Sequence, residues 1–246
     1  MANVQIYPDP QHLARAAAEQ FVQIAEASVR LRGVFTVALS GGTTPQMLFR
    51  LLASEPYRGK VDWMNTHIFW GDERCVPPDN EESNYLKAKQ TLLDEIQIPE
   101  TNIHRIMSEL PPEQAAEDYE EKLLQYFSSI QDETERTQAQ FDLVLLGMGD
   151  DGHTASLFPG TPAIHEETRW VAAQYIDKLA AWRITLTPAI LNRAAHIIFL
   201  VSGAPKAYAL QKILYGAYQP DRYPAQIINP QHGTLLWMID EPAASM

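Results

Sequence analysis

Short apolar segments recur along the chain, and most are followed by a loop containing glycine and then by a helix-forming stretch. Such segments, rich in β-branched residues, are typical of strands buried on both faces of a parallel sheet. Strand–loop–helix alternation predicts an α/β fold, a mainly parallel sheet with helices on both faces. The predicted strands are VFTVAL (34–39), HIFW (67–70), FDLVLL (141–146), RITLT (183–187), HIIFLV (196–201) and TLLWMID (234–240).

The first predicted helix has clear signals at both ends. Asp9 suits the N-cap, Pro10 the first helical position and Gly33 the C-terminal end. One face carries residues at helical spacing, namely Leu13, Ala17, Phe21, Ile24 and Ser28. Further helices are predicted for QMLFRLLAS (46–54), NYLKAKQTLLDEI (84–96) and PEQAAEDYEEKLLQYFSS (112–129). We find no internal repeat and predict a single domain over 1–246, in which the polar stretch 131–140 is an exposed connection.

The composition limits the partners of the chain. Its 246 residues carry 31 acidic and 19 basic side chains, a formal net charge of −12, which argues against nucleic acid or an anionic membrane as the main partner. The single cysteine, Cys75, excludes an internal disulfide and fits a reducing compartment. We see no signal peptide and no apolar run near the roughly 20 residues that span a bilayer, and we expect a cytoplasmic protein.

Four loops with polar or charged residues follow predicted strands. In a parallel sheet, every loop that follows the carboxyl end of a strand lies at the same edge. We therefore expect these loops to meet and to form a site there. They are SGGTTP (40–45), GDER (71–74), GMGDDGH (147–153) and SGAPK (202–206).

The first loop has the features of a phosphate-binding turn. Glycines allow backbone N–H groups to converge, and Thr44 as N-cap with Pro45 at the first helical position would place a helix N-terminus beside them. The alternative is a strand-to-helix turn that needs glycine only for its geometry. The loop matches neither a Walker motif nor a GxGxxG fingerprint. The candidate phosphate-binding residues are Ser40, Gly41, Gly42, Thr43 and Thr44.

Cations close to these loops are candidates for anion binding. Arg74 can clamp a phosphate with two hydrogen bonds, or it can form a solvated ion pair within Asp72-Glu73-Arg74. Asp72 can accept a sugar hydroxyl or orient a catalytic group. Lys206 is predicted to lie in the first turn of a helix, where a cation is electrostatically disfavoured. An anionic ligand would remove that conflict; the alternative is a solvated lysine. Arg183 begins RITLT, and its spacing leaves open whether it enters the site.

His153 is the candidate general base. A neutral imidazole at the start of a helix after Gly152 can take a proton from water near pH 7, and Asp150 or Asp151 can orient it. The alternative is a turn with an exposed histidine. No HxH or HxxxH pair occurs, so a zinc site has little support, and the loops require no metal or redox cofactor. They suit a phosphorylated small molecule that reacts by proton transfer or hydrolysis.

The motifs together resemble the 6-phosphogluconolactonase family of the glucosamine/galactosamine-6-phosphate isomerase superfamily. They occur in the same order as in that family. The matching segments are ALSGGTTP, FWGDERCVPPDNEESNY, FDLVLLGMGDDGHTASLFPG, RITLTPAILNRA and FLVSGAPK.

The resemblance implies a Rossmann-like fold, hydrolysis of 6-phospho-D-glucono-1,5-lactone in the oxidative pentose phosphate pathway, and no required cofactor. It implies that His153 is catalytic and that Arg74, Arg183 and Lys206 are cationic site residues. Asp151 matches the aspartate of the family motif, whereas Asp150 occupies a variable position. We expect a sugar-phosphate lactone as the partner, no nucleic acid or membrane, and a monomer.

Two alternatives remain open. Glucosamine-6-phosphate deaminases share the fold, and Asp72 would then be a base acting on carbon. Deaminases carry DEY in place of DER and an IAFNEP-like run in place of TASLFP, so both segments favour the lactonase. A sugar-phosphate sensor would need a DNA-binding module, which this acidic chain does not suggest.

Overall fold

The computed structural model describes residues 3–130 and 139–245, which form two sheets surrounded by helices. Most of the connection predicted at 131–140 lies outside the described residues. The strands are β1 (Asn3–Tyr7), β2 (Phe35–Leu39), β3 (Thr66–Trp70), β4 (Asp72–Arg74), β5 (Leu143–Leu146), β6 (Val171–Ile176), β7 (Ala181–Leu186), β8 (His196–Val201) and β9 (Thr234–Asp240). The helices are α1 (Pro10–Arg32), α2 (Thr43–Leu52), α3 (Asn84–Thr91), α4 (Pro112–Ser129), α5 (Pro188–Leu191), α6 (Ala207–Tyr215) and α7 (Glu241–Ala244).

The larger sheet has six parallel strands in the order β1-β9-β8-β5-β2-β3. Every residue of β2 and β5 is buried, as expected for strands covered on both faces. The predicted α/β fold with a mainly parallel sheet is therefore confirmed. Within the described residues, no helix is both long and apolar enough to cross a membrane.

The smaller sheet is antiparallel, with the order β4-β7-β6. It corrects two expectations. RITLT forms a strand, but β7 pairs with β6 through a short connection instead of joining the parallel sheet. The segment Asp72–Arg74, expected to be a loop, forms β4 and pairs with β7, so that Arg74 lies opposite Arg183.

The ends of α1 agree with the prediction and the start of α2 does not. The Asp9 carboxylate accepts hydrogen bonds from backbone N–H groups of the first turn of α1, and Gly33 ends the helix at φ 78°. Helix α2 begins at Thr43, two residues before Pro45, with Gly42 at the N-cap. Gly42 has φ 107°, a conformation that disfavours a side chain, and no side chain caps this helix.

A buried carboxylate ties the start of β5 to two neighbouring elements. Asp142 forms an ion pair with Arg32 at the end of α1. Its Oδ2 accepts hydrogen bonds from the backbone N–H and the hydroxyl of Thr36, at 2.8 and 3.0 Å. Asp142 thus aligns β2 and β5, whose opposite ends carry two of the loops expected to form the site.

We expect Asp142→Ala to lower the free energy of unfolding by about 2–4 kcal/mol, because it leaves the partners of a buried charged group unsatisfied. Asp221→Ala is the matched control. Asp221 forms an exposed pair with His165, and such pairs contribute at most about 1 kcal/mol. Urea unfolding of both variants measures the two losses. A loss at Asp142 no larger than the loss at Asp221 would contradict the anchoring role.

Candidate active site

A cavity of about 500 Å³ lies at the carboxyl edge of the parallel sheet. The four loops expected to meet all contribute to its wall, and the tip of the β6–β7 hairpin adds Lys178 and Leu179. Asp151 lies behind His153 and is not part of the wall. The predicted site residues that line the cavity are Ser40, Gly41, Gly42, Thr43, Thr44, Asp72, Arg74, His153, Arg183 and Lys206.

His153 is held by its neighbours and not by a helix. Its Nδ1 is 2.5 Å from Asp151 Oδ1, and its ring stacks on Phe158 with 4.0 Å between ring centroids. The expected helix start is wrong, because the chain turns tightly here and the N–H of Gly149 donates to the carbonyl of His153 at 2.8 Å. With Nδ1 engaged, Nε2 is the ring nitrogen available for proton exchange with a ligand.

Gly149 explains why this loop is rich in glycine. A Cβ at this position would lie 2.1 Å from His153 Nδ1 and 2.7 Å from Asp151 Oδ1. Any side chain would therefore take the place of the imidazole and separate it from its carboxylate partner. Glycine is required here because the imidazole of His153 closely approaches the backbone.

Asp151 connects His153 to a lysine on the other sheet. Lys178, at the tip of the β6–β7 hairpin, donates to Asp151 Oδ2, while His153 occupies Oδ1. Burial favours the neutral acid, but the hydrogen bonds from His153 and Lys178 outweigh it and hold the pKa of Asp151 well below its usual value. The imidazole is thus oriented by a carboxylate that stays ionised. Asp150 is exposed.

The solvated ion pair considered for Asp72, Glu73 and Arg74 is wrong, because both carboxylates are buried. Asp72 Oδ2 accepts from Ser156 Oγ at 2.6 Å, and Asp72 Oδ1 accepts from Asn84 Nδ2 at 3.2 Å. Asp72 is thereby fixed at the wall of the cavity.

Glu73 does not line the cavity and has a structural role. Its carboxylate accepts from the backbone N–H groups of Asn84 and Tyr85 at the start of α3, and from the Ser83 hydroxyl at 3.0 Å. Burial raises the pKa of Glu73, and these backbone hydrogen bonds oppose the shift. Glu73 therefore positions α3, and with it the side chain of Asn84.

Three cations line the cavity without a carboxylate partner among residues 3–130 and 139–245: Arg74, Arg183 and Lys206. The two guanidinium groups donate to backbone carbonyls, Arg74 to Glu82 and Arg183 to Trp182. Burial and the nearby Arg74 lower the pKa of Arg183. Cations gathered near the uncapped start of α2 favour an anionic ligand.

Several residues of the site were missed by sequence reasoning. Ser156 and Phe158 follow His153 within the same loop, so their proximity was a usable signal. Asn84 reaches the cavity only because Glu73 caps α3. Lys178 carries no local motif, and the hairpin that delivers it belongs to the sheet that was not expected.

Within the described residues, this cavity contains neither an activated thiol nor a group of metal ligands. Burial raises the pKa of the Cys75 thiol to about 11, so this thiol is not an activated nucleophile. Among the residues described by the structure, no group of three His, Cys, Asp or Glu side chains is arranged to hold a metal ion.

Comparison with known proteins gives consistent matches. Residues 8–237 match the model of the family described as glucosamine-6-phosphate isomerases/6-phosphogluconolactonase. A 6-phosphogluconolactonase of Synechocystis sp. is 45% identical over 86% of this chain and 84% of its own length. One of Nostoc sp. is 38% identical over 98% and 97%. The solved 6-phosphogluconolactonase from Trypanosoma cruzi is 31% identical, with a TM-score of 0.85 over 99% of this chain and 96% of that chain.

The ionised state of Asp151 predicts a pH-dependent contribution to stability. A carboxylate whose pKa is lower in the folded chain stabilises the fold above its unfolded pKa, and that stabilisation is lost as the pH falls towards the folded pKa. We expect the difference in unfolding free energy between wild type and Asp151→Asn to be largest near pH 7 and to narrow below about pH 4.

Chemical unfolding at several pH values measures this difference. Asp150→Asn is the matched control, because Asp150 is the exposed neighbour of Asp151. We expect the difference between wild type and Asp150→Asn to stay small at every pH. A difference between wild type and Asp151→Asn that stays flat from neutral to acidic pH would show that the interaction contributes no linked stability.

Proposed function

We propose that this chain, which belongs to the family of glucosamine-6-phosphate isomerases and 6-phosphogluconolactonases, hydrolyses 6-phospho-D-glucono-1,5-lactone to 6-phospho-D-gluconate, the second step of the oxidative pentose phosphate pathway. Relatives that carry the lactonase name at 38–45% identity support a lactone hydrolase. The resemblance predicted from the loop motifs is confirmed by the family match. The observation that carries the assignment is that His153, oriented by a carboxylate, shares its cavity with three cations that have no carboxylate partner within the described residues.

His153 acts as general base and then as general acid. Its Nε2 removes a proton from a water molecule, and the water oxygen attacks C1 of the lactone. The electron pair of the carbonyl moves onto its oxygen, where a cation or a backbone N–H stabilises the negative charge. When the tetrahedral intermediate collapses, the C1–ring oxygen bond breaks, and the imidazolium returns the proton to the leaving ring oxygen.

Two carboxylates support this step in different ways. Asp151 holds the imidazole by Nδ1 and stabilises the imidazolium that forms, as carboxylates do in catalytic triads. Asp72 accepts hydrogen bonds from Ser156 and Asn84, and its remaining lone pairs can accept a sugar hydroxyl. In the deaminase alternative, Asp72 would be a base acting on carbon, and the DER and TASLFP segments favour the lactonase over it. Ammonia release from glucosamine 6-phosphate would reveal that alternative.

The phosphate group binds to the start of α2 together with cations of the cavity wall. Backbone N–H groups at Gly42 to Thr44 have no side-chain cap and are suited to phosphate oxygens. Arg74, Arg183 and Lys206 supply positive charge. Phosphate binding fixes the ring so that C1 lies near His153, which is the entropic part of the catalysis.

We further propose that residues 1–246 form a single domain, that the protein is a cytoplasmic monomer, and that its reaction needs no cofactor. The hydrolysis of an activated ester by a general base requires neither redox chemistry nor a Lewis acid for its balance.

We expect His153→Ala to lower kcat by about 10²–10⁴-fold, the usual range for general acid–base catalysis. The assay is a fast time course of freshly generated lactone against a buffer blank, because the lactone also hydrolyses spontaneously. His165→Ala is the control, since His165 is exposed and pairs with Asp221 outside the cavity. Near-wild-type turnover by folded His153→Ala would show that another group is the base.

The phosphate proposal is tested by removing each cation in turn. Removing a cation that contacts phosphate is expected to lower kcat/KM about 10–100-fold for the phosphorylated lactone and to change it little for D-glucono-1,5-lactone. Removing a cation that supports the carbonyl oxygen is expected to lower kcat/KM for both substrates. The variants are Arg74→Met, Arg183→Met and Lys206→Met, and the control is Lys212→Met, which replaces a partly buried lysine outside the cavity wall. If no variant is selective for the phosphorylated substrate, these cations do not bind phosphate.

A further inference from the structure

Two buried polar atoms in the wall of the active-site cavity have no hydrogen-bond partner in the described part of the chain. They are Ser40 Oγ and Asn84 Oδ1. The residues are 5% and 3% exposed. Buried polar atoms without partners are rare in native proteins, and each one calls for an explanation. Because both residues line the same cavity, one ligand group that reaches both atoms would satisfy them.

The orientation of the Asn84 amide is fixed by its other contacts. Asn84 Nδ2 lies 3.0 Å from the backbone oxygen of Asp72 and 3.2 Å from its Oδ1. Both of these atoms accept hydrogen bonds, so the amide nitrogen must face them and the carbonyl oxygen must be the free end. A Cβ on Gly41 would lie 2.0 Å from that oxygen. The amide therefore packs directly on the backbone next to Ser40.

The chemistry of these atoms defines what they can bind. The Asn84 carbonyl oxygen only accepts hydrogen bonds, and the Asp72 carboxylate beside it is an acceptor as well. Phosphate oxygens are also acceptors and carry negative charge, so this part of the wall disfavours phosphate. A hydroxyl group fits, because it donates to the carbonyl oxygen and accepts from the Ser40 hydroxyl.

We propose that Asn84 and Ser40 form a subsite that recognises one hydroxyl group of the sugar ring and so determines substrate specificity. This inference rests on the proposed lactonase function. It moves Ser40 from the phosphate-binding turn to ring recognition and leaves the phosphate to Gly42, the start of α2 and the cations. The candidate hydroxyls of the lactone are those at C2, C3 and C4.

Ser202 provides a matched comparison within the same cavity. Like Ser40, it follows the last residue of a parallel strand and lines the wall. Its hydroxyl, however, donates to the buried carboxylate of Asp240 at 2.5 Å. Ser202 therefore has a partner within the protein, whereas the Ser40 hydroxyl has none among residues 3–130 and 139–245 and would gain one from a ligand.

The experiment compares wild type, Asn84→Ala, Ser40→Ala and Ser202→Ala on the parent lactone and on its 2-, 3- and 4-deoxy analogues. For wild type, we expect one analogue to lose about 5- to 150-fold in kcat/KM, the effect of leaving buried polar atoms unpaired. On the deoxy analogue that wild type handles poorly, Asn84→Ala and Ser40→Ala should have nearly the same kcat/KM as wild type. On the substrates that keep the recognised hydroxyl, each of these two variants should lose about 5- to 150-fold in kcat/KM relative to wild type. Ser202→Ala should keep the wild-type discrimination.

Thermal unfolding of the free proteins provides the second readout. Ser40→Ala removes an unpaired atom, so its Tm should equal or exceed that of wild type, whereas Ser202→Ala should lower Tm. The proposal is overturned if the loss in kcat/KM from each substitution is the same on the parent lactone and on all three deoxy analogues. It is also overturned if Ser40→Ala lowers Tm and leaves the discrimination between hydroxyl and deoxy substrates unchanged. Wild type that fails to accelerate hydrolysis of the parent lactone would instead contradict the proposed function, on which the subsite depends.

Discussion

The common direction of six parallel strands is the constraint on which the site depends. Because β2, β3, β5 and β8 run the same way, the segments that follow them emerge at one edge. No pair of these segments is close in sequence, and none is sufficient alone. The buried Asp142, which aligns β2 with β5 at the opposite edge, contributes to the same geometry by setting where the two central loops begin.

The cavity divides its chemistry between regions. Arg74, Arg183 and Lys206 form a positive region with no carboxylate partners in the described chain, which suits a phosphate. Asp72 and Asn84 form a region of hydrogen-bond acceptors, which suits sugar hydroxyls. His153 belongs to neither region, because it pairs with Asp151, whose negative charge is in turn paired with Lys178. A substrate with a phosphate at one end and hydroxyls on a ring is complementary to such a wall.

Much of the fold was accessible from the sequence because local signals and tertiary structure agree. β8 and β9 occupy the predicted ranges 196–201 and 234–240, where five residues of each strand are buried. The errors arise where long-range pairing decides the outcome. RITLT has the composition of a core strand, yet its partner is the hairpin strand β6. Glu73 reads as a surface charge until the start of α3, a dozen residues later, is seen to bind it.

The contact between Lys178 and Asp151 joins the two sheets beside the imidazole of His153. Lys178 reaches the site only through the tip of the β6–β7 hairpin, while His153 and Asp151 belong to a loop of the parallel sheet. The positive charge next to Asp151 is therefore supplied by an element that lies outside the parallel sheet. A change in the length or shape of this hairpin would therefore move an ammonium group relative to Asp151 while the six-stranded sheet stays the same.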